Sequence, residues 1–353
     1  MSISGWAKIA ESWLMAHVPG AEWLMLFGAG MVVLTALILV AWLVRRFFKG
    51  LNALSNASRA RAARRRNLPG FRILIAPPPG DRPAGKWLRA ALAGHLPDFC
   101  FGAPFDLVAM GTIKGGMESA SVARARKRMA TADADLFIWS SRTGRGDRGL
   151  ELHCLSRGGG LTPAEARLFT IALPGARKAR TDDLARAAAY LMAKQLQPAL
   201  SDPQAFRAEK IRILAQQLDK VLDSQTGLSS TLRSEIETDF CAAGVRVAEE
   251  LGDLAALDKV IAMRRHYLDA ASAAADSGRV ILARLDLGRA LIVRAEKQFD
   301  QKVVQEAIGH LSQAVEGLRS DPVIIRAQAA SDALFKAQSM IESRKRFSLN
   351  FGS

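Results

Sequence analysis

Apolar and polar positions follow three textures along this chain. Residues 23–44 (WLMLFGAGMVVLTALILVAWLV) contain no charged residue over 22 positions. At about 1.5 Å rise per residue, a helix of that length reaches roughly 33 Å, enough to cross a hydrocarbon core. Trp23 and Trp42 stand near its two ends, where indole rings favour the membrane interface, and Glu22 and Arg45 close it off. Soluble core helices seldom stay apolar on every face for so long, and a cleaved signal carries a shorter apolar stretch of about 7 to 15 residues. The pattern therefore predicts a transmembrane helix over 23–44. Upstream, Trp6, Ile9, Trp13 and Leu14 share a helical face before Pro19-Gly20. That spacing predicts an interfacial helix within the short external segment 1–22, with a disordered tail as the alternative.

From residue 68 the runs shorten. FRILIA at 71–76 is β-rich and stopped by Pro77-Pro78-Pro79-Gly80, and 84–96 then carries Trp87, Leu88, Ala91, Leu92 and Leu96 at helical spacing. The same reasoning predicts strands at 105–110, 136–140, 150–155 and 166–173, and helices at 117–132 and 181–197. Turn residues at 143–148, followed by the alternation of Leu150, Leu152 and Cys154 with Glu151 and His153, predict a hairpin. The order β-α-β-α-β-β-β-α is that of a mixed sheet with helices packed on it. After Ser201-Asp202-Pro203 the pattern becomes helical, with helices predicted at 203–223, 229–251, 253–276, 279–298, 302–319 and 322–344. Breaks fall at Gly227, Gly252, Ser277-Gly278 and Ser320-Asp321-Pro322.

Charge adds an orientation. Of a formal net charge of +15, eight Lys or Arg without an acid lie in 45–66, against one Lys and no Arg in 1–22. The positive-inside bias puts the carboxyl-terminal bulk in the cytoplasm. Arg45, Arg46 and Lys49 complete a membrane anchor with Trp23 and Trp42. The basic juxtamembrane linker 45–67, in part helical, brings Arg59, Arg61, Arg64, Arg65 and Arg66 to anionic headgroups, at about 1 kcal/mol per basic side chain near the surface. No aromatic is interleaved from 51 to 67 to stack on bases, which disfavours nucleic acid there. Arg124, Arg126, Lys127 and Arg128, on the helix at 117–132, form a second basic group that offers a lipid or nucleic-acid contact.

Candidate chemistry is sparse. Cys100, Cys154 and Cys241 have neither disulfide nor zinc spacing, and His17, His95, His153, His266 and His310 are scattered, which leaves no metal site and no catalytic residue to name. Gly80, Gly85 and Lys86 match G-x-x-x-x-G-K between a strand and a helix, the context of a phosphate loop. Trp87 replaces the hydroxyl that holds magnesium, and Pro83 removes an amide donor, so the match is weak. A nucleotide-dependent regulator using this loop is the alternative to a reading with no cofactor.

Two resemblances add expectations. The succession ILIAPPPGD, VAM and SVARARKRMATADADLFIWSSRTGRGDRGLELHCLSR resembles the TolB-amino-terminal-like domains that include FlgO-like and CsgG-like proteins, through Pro77, Ala134-Asp135-Leu136 and Gly146-Asp147. It departs from them at Ser140-Ser141, where the family has Gly. It implies an α/β fold in a non-enzymatic role. Leu287-Gly288, Leu291, Ala307, Leu311, Ala314 and Pro322 resemble a tetratricopeptide repeat, with an upstream copy at Ala243-Gly244, Val247 and Leu251-Gly252, a period of 44 residues. A simple helical bundle is the alternative.

The expected fold class is α+β followed by α: an amino-terminal transmembrane helix, a small mixed-sheet α/β domain over 68–200, an all-α helical-repeat (TPR-like) domain over 201–344, and a basic tail, 345–353. The expected function is that of a membrane-anchored scaffold or adaptor facing the cytoplasm, and not an enzyme. Its expected partners are the bilayer through 23–44, anionic headgroups through 45–66, and an unknown protein through the helical domain, with self-association as an alternative. Composition rich in Ala and Arg, together with the family resemblance, implies a bacterial inner membrane, with the amino terminus periplasmic.

Overall fold

Between Ala21 and Arg65 the sequence offers no proline, and α1 runs through all 45 of these residues without a break. The computed structural model describes residues 12–13, 21–66, 68–142, 149–158, 160–224, 226–319 and 324–350, and the chain divides into two units, Met1–Ala62 and Ala63–Ser353. Within α1, Gly30–Phe47 has a mean hydropathy of 1.9 and none of it is buried. That stretch is long and apolar enough to cross a membrane. The linker expected at 45–67 is helical as far as Arg65 and continuous with this apolar stretch. Of the interfacial helix expected at 3–18, only Ser12 and Trp13 are described, both helical; the rest lies outside the described residues.

In the second unit, β1 (Phe71–Ala76) opens a five-stranded sheet. It is followed by α2 (Arg82–Phe99), β2 (Phe105–Ala109), α3 (Ser119–Ala132), β3 (Leu136–Arg142), β4 (Leu150–Ser156), β5 (Arg167–Leu173) and α4 (Asp182–Leu196). The order across the sheet is β2-β1-β3-β4-β5. The first three strands are parallel, and β4 and β5 extend the sheet antiparallel, with Trp139 opposite His153 and His153 opposite Thr170. The turn expected at 143–148 lies outside the described residues.

Alternation along the strands loads both faces of the sheet. Ile73, Ile75, Leu136 and Ile138 join one core with α2 and α4. Leu74, Phe137 and Trp139 take the other face, where Ala125 and Met129 of α3 are also buried. Arg72 fastens that side. Its Nη1 donates to the carbonyls of Ala132 and Asp133 at 2.8 and 3.0 Å, capping the end of α3 where Asp133 turns left-handed.

Six further helices follow: α5 (Ala208–Asp223), α6 (Ser230–Leu251), α7 (Leu254–Ala273), α8 (Ser277–Lys297), α9 (Gln301–Leu318) and α10 (Ile324–Asn350). Each packs on the next, and α8 also packs on both α6 and α10, so the helices form an array with an inner row. Side-chain oxygens of Ser229, Asp253, Asp276 and Asp300 cap α6 to α9. The break expected at Ser277-Gly278 is displaced: Asp276 is the cap, and both residues sit in the first turn of α8. The tail expected at 345–353 is helical as far as Asn350.

One apolar core runs from the sheet into the array, so the change of texture near residue 200 marks a change of architecture and not a gap. The joint is α4, where Leu184, Ala185, every residue from 187 to 193, and Leu196 are buried. Tyr190 packs against Phe99 of α2 with the rings tilted by 58° and their centroids 5.3 Å apart, and its hydroxyl donates to Asp239 Oδ2 of α6 at 2.7 Å. Lys194 donates to both Asp239 and Glu235 at 2.7 Å. A Tyr190→Phe variant leaves the ring packing and removes the hydroxyl. Urea unfolding should show a loss of about 1 to 3 kcal/mol with an unchanged slope, because a buried carboxylate oxygen loses a donor.

Candidate functional site

Three places in the fold bring functional side chains together. The first lies on α1, where Trp42 is half exposed and the Arg46 guanidinium sits 5.0 Å from its ring centroid. Trp23, Arg45 and Lys49 lie on the same helix. Arg59, Arg61, Arg64 and Arg65 are exposed on its last turns, and Arg66 follows it. At about 1.5 Å per residue, Arg59 and Arg65 stand roughly 18 and 27 Å along the axis beyond Phe47. That exceeds a Debye length of about 8 Å, so headgroup contact by this group requires a strong tilt of α1. Arg66 instead approaches Asp106 of β2, at 3.7 Å.

The second lies at the carboxyl edge of the sheet. The phosphate-loop look-alike has local structural causes. Gly80 turns with φ +80°, and a Cβ on Gly85 would fall 2.4 Å from Pro77, so both glycines serve the entry into α2. Lys86 is exposed and pairs with no carboxylate among the described residues. The anion at the start of α2 is supplied by the chain itself. Asp81, 5% exposed, accepts from the Ala84 amide at 3.0 Å, from Arg142 at 2.6 Å and from Arg180 at 3.0 Å. Burial alone would raise its pKa; the Ala84 amide and the two guanidinium groups outweigh burial and hold it below the usual carboxylate range.

On the other face of the same edge is a cluster that spacing does not reveal. His153 Nε2 lies 2.7 Å from Ser141 Oγ, and its Nδ1 lies 3.2 Å from Thr170 Oγ1. A hydroxyl beside an oriented imidazole is the geometry of an activated nucleophile. Its surroundings close it. A Cβ on Gly116 would fall 3.0 Å from Nε2, so the loop roofs the pair where a substrate would stand. Burial lowers the His153 pKa, with Glu151 pulling the other way, so the ring is neutral and packed. The basic group on α3 is likewise partly engaged: Arg126 donates to the Pro163 and Ala164 carbonyls and Arg128 to that of Gly111, while Arg124 and Lys127 are exposed and meet no carboxylate among the described residues.

The third is a groove of about 570 Å³ along the inner row of the array, reaching α6, α7, α8 and α10. Its floor is aliphatic, from Val245, Val260, Ile292, Val293 and Ala333, and Cys241 lines it as a buried thiol whose pKa burial pushes up to about 11. Arg246, Arg264, Arg289 and Lys336 line the groove with Glu249, Asp286 and Asp332. Arg264 pairs with Asp286, Arg246 with Glu250 and Lys336 with Glu296, which leaves Arg289, exposed, as the groove cation without a carboxylate among the described residues. No group of three or more His, Cys, Asp or Glu able to hold a metal occurs among the described residues. Comparison with family models, with curated proteins and with solved structures found no match.

Asp81 gives this region a pH signature. A depressed folded pKa contributes stability that is present above the unfolded value of about 3.9 and lost as pH falls through the folded value. Asp81→Ala, which strands Arg180 at 7% exposure, should destabilise by about 3 to 5 kcal/mol at neutral pH, and Asp81→Asn by less because it keeps the cap. Denaturant titrations of both variants from pH 7 down to pH 3 check this, the gap from wild type narrowing toward acid.

Proposed function

We propose that this chain is a membrane-anchored scaffold or adaptor in which α1 spans the bilayer and the helical array receives a partner protein. The observation that carries the reading is the state of the apolar stretch of α1. Leu34, Leu37, Ile38 and Val40 are 52 to 62% exposed along a helix that buries none of its Gly30–Phe47 stretch. In water such a surface is unstable, and a bilayer satisfies it. The basic residues that follow favour an orientation with the carboxyl-terminal bulk in the cytoplasm and the amino terminus in the periplasm.

The reading of the array as paired-helix repeats has support in close helix approach. A Cβ on Gly244 would fall 2.7 Å from Val260, and one on Gly288 would fall 2.6 Å from Leu311. These two glycines are the expected 44-residue copies, each at the contact of one helix with the next. Stacked hairpins of this kind leave a concave row for a peptide or a partner helix, and an anchor raises the partner's concentration at the membrane.

Two measurements check the proposal. Membranes washed with alkaline carbonate should retain the full-length chain, with the intact mass still including residues 1–44; release of the chain, or a mass lacking that segment, refutes the anchor. A photo-crosslinking amino acid at Arg289 in the groove should give a discrete heterologous adduct in native membranes, and one at Arg279, outside it, should not. Adducts only with a second copy would replace an adaptor with a self-assembling scaffold.

A further inference from the structure

Surplus charge remains after the anchor is accounted for. Residues 68–202 hold 19 Lys and Arg against 12 Asp and Glu, whereas 203–350 hold 21 against 20. Pairing widens the contrast. In the array Arg264, Arg265, Arg294 and Lys336 all reach carboxylates on neighbouring helices. In the α/β part Arg82, Lys86, Lys114 and Lys178 are exposed and pair with no carboxylate among the described residues.

Topology gathers these four cations. Strands β1, β2 and β3 run parallel, β4 reverses, and β5 runs with β3 again, so the carboxyl ends of β1, β2, β3 and β5 share one edge of the sheet. Arg82 and Lys86 open the helix after β1, Lys114 lies in the loop after β2, and Lys178 follows β5. The loop holding Lys114 also presents Met117, which is 46% exposed. Among the described residues from 69 to 212, no other large apolar side chain is exposed.

We propose that this edge docks on a bilayer surface of anionic phosphate headgroups, with Met117 entering the interface among the cations. Four exposed cations and one apolar tip on the loops of one edge, beside exposed Glu118 and the Arg186-paired Asp182, fit the chemistry of a charged lipid surface, where headgroup attraction and shallow apolar insertion add. Nucleic acid fits less well, because no exposed aromatic stands among the described residues 69–202 to stack on bases. The proposal builds on the anchor reading only in that α1 keeps the chain at a membrane; because α1 leads into the amino end of β1, docking of the carboxyl edge requires the same strong tilt of α1 as headgroup contact by Arg59 to Arg65.

The test uses the full chain in nanodiscs. The native cysteines are all buried, so Met117→Cys takes an environment-sensitive fluorophore selectively. Docking predicts a blue-shifted signal about two-fold brighter in discs with about a third anionic lipid than in neutral discs, and a fall toward the neutral value with added salt. Neutralising Lys86→Gln and Lys114→Gln should reduce the docked-to-free ratio about five-fold for each charge, whereas Arg167→Gln, at the opposite edge beside Ser156, should leave it unchanged. Equal signals in neutral and anionic discs, or an equal loss with Arg167→Gln, overturn the proposal. So does the same shift produced in neutral discs by a soluble inositol phosphate or by DNA, which assigns the edge to a soluble anion. Failure of the anchor shows separately, as loss of the whole chain from neutral discs.

Discussion

The bond from Tyr190 to Asp239 is the constraint on which the soluble part of this protein depends. Tyr190 belongs to the α/β layer by its ring, packed on Phe99, and to the array by its hydroxyl, 2.7 Å from Asp239. Burial and the nearby Asp239 push the phenol pKa far up, so the proton stays on Tyr190 and the bond keeps one polarity. Lys194 adds a positive charge to the same carboxylate, which compensates Asp239 at 8% exposure. Replacing water around this carboxylate with two donors from a single helix fixes α4 in both rotation and translation against α6. Its alanines, Ala185, Ala187, Ala188, Ala189 and Ala193, then allow neighbouring elements to approach on every side.

Surface charge differs between the two halves of this unit. The array neutralises itself through ion pairs between helices, so its groove relies on shape, an aliphatic floor and a few charged side chains. The α/β part carries Arg82, Lys86, Lys114 and Lys178 at one edge with no carboxylate partner among the described residues, while the buried carboxylate there, Asp81, pairs with Arg142 and Arg180. Through that carboxylate the chain supplies its own anion at the start of α2, in a loop with phosphate-loop spacing.

Much of the second unit was legible because its elements are set by local pattern. Strand 71–76 and the helix ending at Leu251 stand within a residue of where periodicity places them, since β-rich runs, glycines and aspartate caps act over a few positions. What stayed hidden is long-range. Arg180 reaches Asp81 across 99 positions, and Ser141, His153 and Thr170 converge only through strand register. His153 and Cys154, neighbours in sequence, are both buried because β4 has a layer on each face, which single-strand alternation does not announce. The continuation of α1 through the basic segment was also obscured, since residues 50–65 mix weak and strong helix formers.

The absence of a free face on α4 has a mechanical meaning. Two domains joined by a linker can rotate, and force or binding on one leaves the other undisturbed. Here sheet and array share the side chains of one helix, and Asp239 lies within a turn of Cys241 and Ala242 in the groove wall. The unit is built as a bracket whose corner, α4, is packed rather than hinged. Its basic edge and its groove therefore keep a set distance and angle, fixed by the packing of one helix.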